Sequence, residues 1–190
     1  KGLLLEHPFD RSRLEGELQA RLHPTQPSGT SISGRLRMEN VPFTPPGATP
    51  LLIEELDLAA AGDRLSLSPA RLLWKDRHHR LEGDIAITPG GYVLDLRHSA
   101  DALVWGEPPS QPRPPGEAPG GLDYWSVPLR GRVQTRLEEL RLGDWRWQSV
   151  EATVDLTPGA VHIDVLQADL CGLATPAQVL LQPGTFQLAL

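Results

Sequence analysis

Apolar and polar residues alternate at period two along most of this 190-residue chain. The first case is Leu14, Gly16, Leu18, Ala20 and Leu22, interleaved with Glu15, Glu17, Gln19 and Arg21. Successive side chains of a strand point to opposite faces, so this spacing predicts a half-buried strand. The pattern returns at Ile32, Gly34, Leu36 and Met38, runs from Arg64 to Leu67, and recurs around Leu81, Gly83, Ile85 and Ile87. Tyr92, Leu94 and Leu96, then Val133, Thr135 and Leu137, then Val161, Ile163 and Val165 continue it. No helical periodicity of comparable length competes. Leu51 to Ala61 also fits one face of a short helix, but Glu54-Glu55-Leu56-Asp57-Leu58 reappears as Glu138-Glu139-Leu140-Arg141-Leu142, which favours a strand in both places.

Two shorter repeats sharpen this reading. An apolar-x-Gly-x-apolar unit occurs at Leu14–Leu18, Ile32–Leu36, Leu81–Ile85 and Leu129–Val133. Glycine weakens a strand interior unless a bulge, a bend or a close backbone approach requires it, so a recurrent glycine predicts a recurrent bend. A hairpin signature, strand then Pro-Gly then strand, appears around Pro89-Gly90, Pro158-Gly159 and Pro183-Gly184. Proline presets φ at the first turn position and glycine accepts the positive φ of the second, as a type II turn demands. The expected fold is all-β: antiparallel hairpin repeats forming a strongly curved, groove-like or sandwich-like sheet. Its inward residues include Leu14, Leu18, Ile32, Leu36, Leu81, Ile85, Leu94, Leu129, Val133 and Ile163.

The segment 107–121 breaks the alternation with Pro108-Pro109, Pro112, Pro114-Pro115, Pro119 and Gly120-Gly121. It has no apolar residue to bury, which predicts an exposed loop or linker between two β-repeat segments, 1–106 and 122–190, of one sheet. A proline-motif ligand is the minor alternative.

Composition narrows the function classes. The chain carries 18 Lys and Arg against 24 Asp and Glu, with lysine nearly missing and arginines scattered among acids, which argues against a nucleic-acid partner. No apolar run approaches the roughly 18 residues of a membrane-spanning helix. The opening Lys1-Gly2, without an initiator Met or a signal-like segment, reads as an excised fragment whose targeting signal is absent or removed. One cysteine, Cys171, permits no internal disulfide, and its apolar neighbours predict a buried, inert thiol.

Candidate chemistry is sparse. Asp76, His78 and His79 are the densest group of metal-type ligands, read as an exposed polar turn because a third or fourth supported ligand is missing. His7, His23, His98 and His162 are isolated and read as surface residues. The paired carboxylates Glu54-Glu55 and Glu138-Glu139 alternate faces on a strand and should not converge. Trp74, Trp105, Trp125, Trp145 and Trp147 are expected in the core, or alternatively along an apolar binding surface. No metal, no cofactor and no catalysis are expected.

The stretch Val150-Glu151-Ala152-Thr153-Val154-Asp155-Leu156-Thr157-Pro158-Gly159-Ala160-Val161-His162-Ile163, followed by Ala168-Asp169-Leu170-Cys171-Gly172-Leu173-Ala174-Thr175-Pro176, resembles the C-terminal part of AsmA-like proteins, large bacterial envelope proteins related to TamB. The apolar-x-Gly-x-apolar units extend the resemblance over most of residues 12–190. It implies curved sheets that enclose an apolar groove, on proteins anchored in the inner membrane and crossing the periplasm. The implied role is to hold or conduct phospholipid for outer-membrane biogenesis, with the ten inward residues above as groove lining. Phospholipid and other envelope proteins are the implied partners, and membrane contact is expected only through parts outside this chain. A structural or protein-interaction scaffold without lipid is the alternative.

Overall fold

A computed structural model describes residues 12–21, 23, 25–44, 49–105 and 124–189. The strands are β1 (Arg13–Arg21), β2 (Ser31–Phe43), β3 (Leu51–Ala61), β4 (Arg64–Trp74), β5 (Arg77–Thr88) and β6 (Gly91–Trp105), then β7 (Leu129–Leu142), β8 (Trp145–Thr157), β9 (Ala160–Leu170), β10 (Leu173–Ala174), β11 (Ala177–Gln182) and β12 (Thr185–Ala189). All belong to one 12-stranded sheet in the order β1 to β9, then β11 and β12, with the short β10 beside β9. Leu51–Ala61 is a strand, as its repeat partner suggested. No helix among the described residues is long and apolar enough to cross a membrane.

Most neighbours pair as meandering antiparallel hairpins. Two-residue turns such as Lys75-Asp76, Pro158-Gly159 and Pro183-Gly184 join them. Gly159 and Gly184 have φ of 77° and 70°, the positive value a type II turn needs at its second position.

Three expectations require correction. The sheet is neither strongly curled nor closed, and no second sheet packs on it among the described residues. Tight turns keep each strand beside its predecessor, so the chain cannot alternate between the two layers of a sandwich. The repeat is also not uniformly antiparallel, because β6 and β7 pair in parallel, with Tyr92 opposite Leu129 and Trp105 opposite Leu142. A parallel pair needs a crossover, so the connection from Trp105 to Leu129 must return over about 43 Å, thirteen strand residues at 3.3 Å each. The proline-rich segment 107–121 lies outside the described residues, as does His7.

The recurrent glycines mark close approaches as well as bends. Gly83 has φ of 131°, and a Cβ built on it would stand 2.1 Å from the Asp95 carbonyl oxygen. Gly16 and Gly83 lie on one line across the sheet, Gly34 and Gly131 on another, which distributes the distortion instead of folding the sheet along one hinge.

Strict alternation also fails along one band of the sheet. Ala100 with Leu103, Leu137 with Leu140, Trp147 with Val150 and Val165 with Ala168 are each three residues apart, yet all join one apolar cluster. Inward and outward positions therefore exchange between the members of each pair. Ser149, inside β8, has φ of 51°, and the β8–β9 register slips beside it. On β2, Asn40 has φ of 53°, and the β3–β4 register slips at Glu55. These are the signatures of β-bulges, which re-aim the side chains that follow.

Candidate functional site

The register joins the apolar positions into continuous rows. One runs Gly16, Leu36, Leu58, Leu67, Gly83, Leu96, Val133, Val154, Ile163, Val179, Leu188, each residue opposite the next. A parallel row runs Leu18, Gly34, Ala60, Leu65, Ile85, Leu94, Gly131, Leu156, Val161, Leu181, Phe186. Ten strand spacings of about 4.8 Å make each row roughly 48 Å long.

Leu36, Val133 and Ile163 fall in the first row, and Leu18, Ile85 and Leu94 in the second. Leu14, Ile32, Leu81 and Leu129 stand two residues before Gly16, Gly34, Gly83 and Gly131, hence on the same face. Most of these side chains are half-buried; Ile32 is buried and Leu14 is exposed. Among the described residues, burial comes from neighbours leaning over one another: Leu137 and Val150 are 3% and 2% exposed beneath Leu103, Leu140, Trp147 and Val165. Seven of the twelve buried apolar residues are alanines, so most of the larger side chains keep part of their surface in water.

The opposite face is a mesh of ion pairs. Arg71 meets Glu55 at 2.7 Å, Arg37 meets Glu39 at 3.1 Å, and Arg136 meets Glu151 at 2.9 Å. Arg132 grips both carboxylate oxygens of Asp155, at 2.7 and 3.2 Å, which raises the guanidinium pKa and lowers that of the carboxyl. A hydrogen bond from Arg141 holds the Glu139 carboxyl below its usual range. A cleft of about 870 Å³ opens on this face. Glu54 and Glu55 both line it, Glu54 paired with His78 at 3.1 Å, so adjacent carboxylates do share one side. The bulge in β3 breaks the alternation that was expected to separate them. On the same wall Arg71 and Arg37 pair with Glu55, at 2.7 and 3.7 Å.

The histidines also depart from the sequence reading. The turn is only Lys75-Asp76, while His78 and His79 are already in β5 and point to opposite faces. His79 is buried on the apolar side, 8% exposed, where its Nδ1 lies 3.1 Å from Nε2 of the half-buried His98. The rings stack with centroids 5.4 Å apart, and Trp74 tilts against His79. Burial pushes the His98 pKa down to about 4, with the neighbouring His79 adding to the effect. Burial also lowers His79, partly opposed by Asp101. Sequence separation of 19 residues concealed the pair; a register placing His98 opposite Leu81 would have revealed it. Among the described residues, no three His, Cys, Asp or Glu side chains come together as a metal site.

Cys171 is exposed rather than buried, since it occupies a two-residue turn with φ of 54°. Trp145 and Trp147 share a face, with rings 6.5 Å apart, but Trp145 is 61% exposed and Trp125 also reaches solvent. The side chain of Trp105 lies outside the described residues.

Comparison with family models, curated proteins and solved structures yields no match to this chain.

Proposed function

We propose that this chain is a non-catalytic segment that holds phospholipid acyl chains against its apolar face. The observation that carries the proposal is the pair of continuous apolar rows with no layer over them among the described residues. A row of roughly 48 Å is about three times the 15 Å depth of one leaflet's hydrocarbon, so acyl chains can lie along it. Each methylene fully removed from water there contributes about 0.8 kcal/mol. The opposite face is dominated by ion pairs, which keep it in water. The resemblance to AsmA-like proteins supplies the wider setting: a periplasmic segment, anchored to the inner membrane by a part outside this chain, serving outer-membrane biogenesis. A protein-binding scaffold without lipid is the second reading.

Uptake of a phospholipid with a fluorescent acyl chain tests the proposal. Fluorescence should rise with the wild-type chain and fall sharply with Ile85→Glu or Leu18→Glu, circular dichroism remaining unchanged. Arg132→Glu, on the other face, should bind as wild type. A wild-type chain that gives no rise refutes the proposal.

A further inference from the structure

The connection from β1 to β2 does not turn tightly at the rim of the sheet but reaches across it. Among its described residues, His23 and 25–30, a 3₁₀ turn at Pro27–Gly29 buries Pro27 and packs against β5. The Tyr92 hydroxyl, on β6, donates to the His23 carbonyl oxygen at 2.9 Å and lies 2.7 Å from Thr30 Oγ1. Thr30 Oγ1 in turn accepts the His23 N–H at 3.0 Å. A phenol has one proton, and the His23 carbonyl takes it, so the Thr30 hydroxyl donates to the Tyr92 oxygen. The three bonds close a ring in which each residue donates once and accepts once, an arrangement in which every bond strengthens the next. Four strand spacings of about 4.8 Å separate β2 from β6, roughly 19 Å, and the loop with the Tyr92 side chain bridges them.

We infer that this loop is a strap that closes the apolar face along one rim, and that the Tyr92 clasp sets how often it opens. Tyr92 stands two residues before Leu94 and so belongs to the apolar face, which puts the strap on that side. Beside the two long rows a short third one runs Ile87, Tyr92, Leu129, each opposite the next. Ile32, two residues before Gly34, shares this face. The pairing of Gly34 with Ala60 sets Ile32 opposite Gly62, which has no side chain, yet Ile32 is only 7% exposed. The folded-back loop supplies its cover. The inference rests on the lipid-holding reading: acyl chains meet the first two rows directly and the third only when the strap lifts. The clasp holds no charged group, so it responds to competition from apolar ligand rather than to salt.

Amide hydrogen exchange and uptake of a phospholipid with a fluorescent acyl chain, read on the same preparations of the full chain, test this. Tyr92→Phe keeps the ring and removes two of the three bonds. Exchange across residues 25–30 should quicken by about tenfold, while β7 and β8 exchange as in the wild type. Binding that needs the open strap is weakened by the fraction of time the strap is closed, so apparent affinity for the phospholipid should rise severalfold, up to the same factor. Thr30→Val breaks the ring from the loop side and should act alike, and thermal melts verify that both variants fold. Unchanged exchange in the two folded variants would overturn the inference, as would faster exchange with no gain in affinity over a wild-type chain that does bind. If neither wild type nor variants take up phospholipid, the lipid reading itself fails and the strap's role falls with it.

Discussion

Leu137 and Leu140 stand three residues apart on β7 and pack into the same apolar cluster. Strict alternation would turn Leu140 to the charged face, where truncation would cost almost nothing. The structure predicts that Leu140→Ala lowers the unfolding free energy by about 2 kcal/mol, against less than about 0.5 kcal/mol for the exposed Glu138→Ala. Urea denaturation of the two variants checks the ordering.

Gly131 and Gly143 both have positive φ, 116° and 59°, but differ in surroundings. A Cβ on Gly131 would lie 1.9 Å from the Leu94 carbonyl oxygen, whereas nothing stands within 4 Å of one on Gly143. Gly143→Ala should therefore cost only the left-handed backbone penalty, about 1–2 kcal/mol. Gly131→Ala must also part β6 from β7 and should cost about 3 kcal/mol or more, or prevent folding. Equal melting temperatures would contradict the close approach.

The His79–His98 pair predicts a specific acid sensitivity. In the unfolded chain these imidazoles take protons near pH 6.5, while folded His98 does so only at about 4 and folded His79 also below the usual value. Between those limits the unfolded state binds more protons, so stability is full above pH 6.5 and declines as pH falls toward 4. Asp101 and His78 are the charged groups that modulate His79, and they act in opposite directions. His98→Asn should lose less stability than wild type between pH 7 and pH 5, measured by urea midpoints. Parallel losses in both proteins would contradict the buried pair.

Cys171-Gly172 forms a turn with φ of 54° and 84°, the two positive values of a type I′ turn. Asparagine is more at ease there than cysteine, so Cys171→Asn should stabilise the chain by up to about 1 kcal/mol. Any disulfide-linked dimer seen on non-reducing gels should vanish with it.

The strands were legible because a half-exposed sheet imposes period two, and Leu18, Leu36, Ile85 and Val133 followed directly from it. Features that depend on register or turn geometry were not. Glu54 and Glu55 share a face because of a bulge, His79 meets His98 through pairing of β5 with β6, and Cys171 was flanked by leucines that conceal a turn. The parallel β6–β7 pair escaped the hairpin rule because the decisive connection is a proline-rich segment with no pattern of its own. The sheet's modest curl was hidden for a related reason: the repeating glycine motif announces local bends but not the lines on which they fall.

The most direct measurement of the central claim is native mass spectrometry of the purified chain, with extraction and identification of what it carries. The account predicts bound phospholipid on the wild-type chain, lost in folded Ile85→Glu. A chain that is lipid-free, and remains so after incubation with phospholipid, would contradict it.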